Sequence, residues 1–270
     1  MTLFRHFETS MRVSSLRPKL PDRCQTGVAA GALTCRRKIA AMMPKHVVIV
    51  GYQDLMSLDL TGPLEAFSSA RIKNAKEATE PGYKVTIAAL GAKSFSSESG
   101  LRITAPCVLN SMRQIDTLII PGGRGMREPA TSARLSEWIK NSWRDIRRIA
   151  TVCTGIYGLA PTGLLNGCRV TTHWLFCRDP AARFPKIKVD ADASYIRQGK
   201  FYTAAGVTAG IDLSLALIEE DLGPQVPRGI SRCLRRNRTR IGGRGVKSRN
   251  PKFDREQSFG VGSVTPGCLR

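Results

Sequence analysis

Val47-Val48-Ile49-Val50 is apolar and β-branched at every position. A strand with one wet face alternates apolar and polar residues. An unbroken apolar run therefore belongs to a strand covered on both faces, and such strands occur in parallel sheets flanked by helices. Comparable runs follow at residues 83–90, at Thr117-Leu118-Ile119-Ile120 and at Arg148-Ile149-Ala150-Thr151-Val152, with shorter ones at Ile187-Lys188-Val189 and Phe201-Tyr202-Thr203-Ala204. Helical signals lie between them. Thr61-Gly62-Pro63 opens a helix through Leu64, Phe67 and Ile72, with Pro well placed near a helix start. Leu135, Trp138 and Ile139 share a helix face, residues 155–165 form a small-residue helix, residues 174–184 are helical in part, and residues 211–222 form a final amphipathic helix. Strands alternating with helices predict an α/β domain, a three-layer sandwich with a mostly parallel central sheet. In such sheets ligands gather beyond the carboxyl ends of the strands.

Charge divides the chain into three parts. The net charge is +21, but residues 1–45 carry +7 and residues 223–270 carry +10, leaving +4 for residues 46–222. The middle is an ordinary soluble domain, expected over residues 45–222. Residues 1–44 show no sustained period and are basic and acid-poor. Translation starting at Met42 or Met43 accounts for them better than a transit peptide. Residues 223–270 hold eight glycines and twelve basic residues, a composition that predicts disorder. A basic tail of this kind binds nucleic acid only non-specifically, if at all. No run of 18 apolar residues exists, so no membrane span is expected. The eight cysteines form no C-x-x-C pair and no His cluster accompanies them, which argues against a zinc site and fits reduced thiols in a cytoplasm. No metal and no cofactor is expected.

The chemistry centres on Cys153. It follows the apolar run 149–152 and precedes Thr154-Gly155, so it sits on a sharp strand-to-helix elbow that projects the side chain out of the turn. N–H groups at the start of the next helix are expected to favour its thiolate. His173, in Thr171-Thr172-His173-Trp174, is a candidate base, and a Cys with a His is the minimum for nucleophilic catalysis. Asp59 is expected in a loop before the helix at Thr61, at the same sheet edge. It either caps that helix or sets a carboxyl against the sulfur, in which case it must be protonated and donate. Gly122 and Gly123 directly follow a strand, so their N–H groups, with that of Thr154, are candidates to face an oxyanion or ligand; a plain tight turn is the alternative. Asp190, Asp192 and Asp212 are accounted for by solvated faces and helix-dipole complementation.

Residues 58–63 (LDLTGP), 116–123 (DTLIIPGG), 152–155 (VCTG), 171–174 (TTHW) and 205–212 (AGVTAGID) occur in that order. Together they resemble the ThiJ/PfpI superfamily, whose core is flavodoxin-like, over about residues 45–222. The likeness is greatest to the amidotransferase-like N-terminal domain of AraC-type transcription regulators, with the isonitrile hydratases as the nearest enzymatic relatives. Resemblance to the hydratases implies Cys153 as nucleophile, Asp59 as acid–base partner and Thr154 in support; family membership implies a homodimer. The regulators continue past Gly223 into a helix-turn-helix domain, whereas here an Arg- and Gly-rich tail follows, as a frameshift or truncation would leave it. The expected function is a regulatory domain binding a small molecule at Cys153. The alternatives are a Cys-dependent enzyme acting on an isonitrile, aldehyde or amide, and a redox sensor oxidised at Cys153.

Overall fold

A computed structural model describes residues 44–73 and 78–234. The basic stretch before Pro44 and the tail beyond Leu234, with the expectations placed on them, lie outside the described residues. β1 (Lys45–Gly51) leads into α1 (Ser57–Ser68), then β2 (Tyr83–Ala89), the short edge strand β3 (Cys107–Val108), β4 (Thr117–Ile120) and α2 (Pro129–Ser142). β5 (Arg148–Val152), α3 (Ile156–Leu159), α4 (Arg178–Arg183), β6 (Tyr195–Gln198), β7 (Phe201–Ala204), α5 (Val207–Leu222) and α6 (Gln225–Cys233) complete it.

One seven-stranded sheet runs in the order β6-β7-β5-β4-β1-β2-β3, parallel throughout except for the β6–β7 pair. Residues 47–50 and 118–120 are buried to the last atom or nearly so, as unbroken apolar runs require. Helices pack in two groups, α1 with α5 and α2 with α3. Because β1 pairs with both β2 and β4, the strand order reverses there. The carboxyl ends of β1, β4 and β5 thus meet at the switch point where such folds place their chemistry. Among the described residues no helix is long and apolar enough to cross a membrane.

Local differences from the sequence expectation have physical causes. α1 starts at Ser57, four residues early, because Pro63 is accommodated inside the helix rather than at its start. Ile72 lies in the two-stranded ribbon Arg71–Lys73 with Thr79–Pro81, not in the helix. The stretch 155–165 is broken: α3 has four residues, bounded by 3-10 turns at Cys153–Gly155 and Ala160–Thr162, the second containing Pro161. Disorder was expected from residue 223, yet α6 is helical over Gln225–Cys233. Pro227 and Ile230 are buried, and Val226 packs on the core. Three apolar residues at spacings of one and three were enough to seat a helix on α5.

The amino ends of the central strands hold a buried ionic cluster. Arg148, 2% exposed, reaches Asp221 in the last turn of α5 at 2.5 Å, the Thr117 hydroxyl at 3.1 Å and the Leu217 carbonyl at 3.3 Å. Lys45 and the Tyr83 hydroxyl donate to the same carboxylate, and Arg147 bridges it to Asp116. A charge is tolerated in an interior only when paired in this way.

Candidate functional site

The elbow is real and strained. Cys153 has φ +56°, in the left-handed region that a side chain enters only when its surroundings enforce it. Gly155 permits it: a Cβ there would collide with the Ile120 carbonyl oxygen. The Thr172 hydroxyl clamps the turn from the other side, donating to the Cys153 carbonyl at 2.7 Å.

Asp59 belongs to the first turn of α1 rather than to a loop, and it caps nothing. It is completely buried, and its Oδ2 accepts the Gly122 N–H at 3.0 Å. Its Oδ1 has no hydrogen-bond partner among the described residues. The Cys153 thiol faces the same carboxyl. Burial, with a contribution from Glu98, pushes Asp59 up to about 6 although the Gly122 N–H and the thiol pull the other way. Burial and then the Asp59 charge push Cys153 up to about 12, against the N–H and hydroxyl of Thr154, which favour thiolate.

The N–H expected to favour thiolate does so, that of Thr154 lowering the pKa, but it is outweighed. α3 is a single turn behind a 3-10 turn, so its dipole is small. A thiol on a residue 5% exposed, next to a carboxylate, loses more by desolvation and repulsion than two donors return.

The Gly122 and Gly123 N–H groups, expected to face an oxyanion or ligand, have partners within the protein. Gly122 is engaged with Asp59 and Gly123 with the Thr154 hydroxyl oxygen at 2.8 Å, while that hydroxyl donates back to the Gly123 carbonyl at 3.1 Å. Of the expected donors, the N–H of Thr154 is the one at the sulfur. His173 makes no hydrogen bond to the thiol among the described residues. Its Nδ1 accepts from the Leu175 N–H at 3.3 Å, it stacks on Trp174, and burial lowers its pKa. Its neighbour Thr172 bonds the elbow. Asp59, Gly122, Gly123, Cys153 and Thr154 are therefore brought together, and His173 is not joined to them by a hydrogen bond.

Tyr52 was missed. Its hydroxyl lies 2.7 Å from both the Pro121 and Gly122 carbonyl oxygens, close enough to Asp59 and Cys153 for their charges to be felt. A lone Tyr after a strand carries no motif, so nothing in the sequence marked it. Among the described residues no group of three His, Cys, Asp or Glu side chains is placed to hold a metal ion.

Glycine at 122 is required by space. A Cβ there would stand 2.7 Å from Cys153 Cβ and from Thr154 N, and 2.8 Å from Asp59 Oδ2. Gly122→Ala is expected to lose about 1–3 kcal/mol, as overpacked interiors do, and to separate carboxyl from thiol. Urea unfolding checks the first effect, and the pH dependence of Cys153 alkylation the second.

Comparison with known proteins gives the following likenesses. The family model described as the DJ-1/PfpI family matches residues 45–220. An isonitrile hydratase of Pseudomonas putida is 28% identical over 172 residues, 64% of this chain and 70% of that protein. The HTH-type transcriptional regulator GbdR of Pseudomonas aeruginosa (strain UCBPP-PA14) is 27% identical over 182 residues, 67% of this chain but only 49% of the regulator. This chain thus spans about half the length of that regulator. The crystal structure of an AraC family transcriptional regulator from Pseudomonas putida superposes with a TM-score of 0.60, covering 71% of this chain and all of that one; at 18% identity this is a likeness of fold.

Proposed function

Given that the chain belongs to the DJ-1/PfpI family, we propose that it is the ligand-sensing, amidotransferase-like domain of an AraC-type transcription regulator, with the Cys153–Asp59 pair as its sensing centre. The observation that carries this is the state of the sulfur. It is buried and set against a carboxyl group, and both raise the pKa of the thiol. A group so placed responds to what enters the crevice, because any ligand that supplies a donor or removes the Asp59 charge changes its ionisation. The matched regulator is about twice as long as the matched segment, and reading DNA would fall to its other half. The domain is proposed to act as a homodimer.

The alternative is a Cys-dependent hydratase, favoured by the unpartnered Oδ1 of Asp59. With Oδ2 engaged by an N–H, the proton of the neutral acid belongs on Oδ1. In that reading the Cys153 sulfur bonds to the carbon of an isonitrile as its S–H proton passes to the Asp59 carboxylate, Asp59 delivers that proton to the same carbon, and the product is a thioimidate. Water then adds to the carbon, the C–S bond breaks and a formamide leaves.

The purified full chain, incubated with an isonitrile, methylglyoxal and a primary amide in turn, separates the two. Sensing predicts a thermal shift of roughly 5–10 °C at about a hundred times Kd, absent in Cys153→Ala, without turnover. Formamide production that stops in Cys153→Ala would establish the enzyme instead.

A further inference from the structure

We propose that Tyr52 is the positioning residue of this centre, its hydroxyl fixing the Pro121–Gly122–Gly123 loop so that one N–H meets Asp59 and the next meets Thr154. The inference deepens the reading of Cys153 and Asp59 as a coupled pair and rests on it.

The argument is one of peptide geometry. In a trans peptide the carbonyl and the N–H of the same unit point in opposite directions. The Pro121 carbonyl shares its unit with the Gly122 N–H, and the Gly122 carbonyl shares its unit with the Gly123 N–H. Tyr52 Oη lies 2.7 Å from both carbonyl oxygens and has one hydrogen to share between them. Holding the two carbonyls on its own side therefore aims both N–H groups to the other side, where Asp59 Oδ2 and Thr154 Oγ1 receive them at 3.0 and 2.8 Å. The Met56 N–H supports the same orientation, donating to the Gly122 carbonyl at 2.8 Å. Glycines resist rotation of their peptide units poorly, so a loop of two needs such a brace. The ring of Tyr52 is buried, at 4% exposure, and phenylalanine would fill that space equally well. What the hydroxyl adds is the direction of two amides.

The consequence is chemical. The Gly122 N–H favours ionised Asp59. If the loop turns, neutral Asp59 persists to higher pH, and a neutral carboxyl can donate to sulfur where an ionised one repels it. The two protonation states of the pair with a single negative charge, carboxylate with thiol and acid with thiolate, then shift towards thiolate.

The test is the rate of iodoacetamide labelling of Cys153 in the full chain, resolved by peptide mass spectrometry from pH 4 to 11, for wild type and Tyr52→Phe. Wild type is expected to show an acidic step, a plateau and a second rise. Tyr52→Phe is expected to move the acidic step up by about half a unit to one unit and to raise the plateau several-fold. Asp59→Asn removes the step and serves as the control. A variant whose melting temperature falls while both step and plateau stay in place would overturn the assignment, since Tyr52 would then only fill space. A wild-type profile without any acidic step would overturn the carboxyl–thiol pairing, and the role of Tyr52 with it.

Discussion

Asp59→Asn is expected to stabilise the domain at neutral pH and to make Cys153 far more reactive. The folded-state value of Asp59, about 6, stands above its ordinary 3.8 because burial penalises the carboxylate. A carboxyl group shifted upward favours the folded state while it is protonated, below about pH 3.8. That benefit is lost as pH rises through about 6. At pH 7 the ionised, buried group therefore costs on the order of 3 kcal/mol relative to its neutral form. Asparagine keeps an oxygen for the Gly122 N–H and offers the sulfur an N–H, without the charge. The variant should gain about 1–3 kcal/mol at pH 7 and nothing at pH 4, measured by urea unfolding at both. Loss of the charge should also lower the Cys153 thiol from about 12 by about 1–3 units, raising the alkylation rate at pH 8 by about tenfold or more. Equal stability differences at the two pH values would mean that Asp59 is not ionised in the folded domain.

The second large effect lies at the opposite end of the sheet. Asp221 receives Lys45, Tyr83, Arg147 and Arg148, and its side chain is 3% exposed. Burial works against its ionisation, but Lys45, Arg148 and Arg147 hold it below the usual carboxylate range. Asp221→Ala leaves the buried guanidinium of Arg148 with only its longer ion pairs to Glu220 at 3.7 Å and Asp116 at 3.9 Å, which costs up to about 3–5 kcal/mol. For a domain of this size that is a fall in melting temperature of roughly 6–20 °C. In the wild type the contribution of this carboxylate is present above the ordinary carboxylate range and disappears as pH falls through its lowered value, so the wild type and Asp221→Ala should converge in strong acid. A melting temperature lowered by no more than 2 °C would place the cluster among screened surface pairs, which contribute little.

Both effects arise from features that the sequence shows unequally. Local composition settled the strands: unbroken runs such as residues 47–50 and 148–152 need cover on both faces, and they have it. It also settled the elbow, because Cys153 falls between a strand end and the Thr154-Gly155 helix start; that its backbone there is left-handed is seen only in the structure. Asp59 was legible as a candidate, but its helix was misplaced by four residues because Pro63 marks a helix interior here. α6 was not legible at all, since its few apolar residues acquire meaning only against the surface of α5.

Residue order by itself determined a parallel α/β sheet and a cysteine at the carboxyl end of one of its strands, because hydrophobic period and backbone sterics act over a few neighbouring residues. Tertiary structure alone decided the surroundings of that cysteine, the engagement of both loop amides and the contacts of the Tyr52 hydroxyl. Desolvation, charge proximity and hydrogen bonding depend on groups far apart in the chain, such as Tyr52 with Gly122 and Asp59 with Cys153, and no local pattern records where folding will bring them.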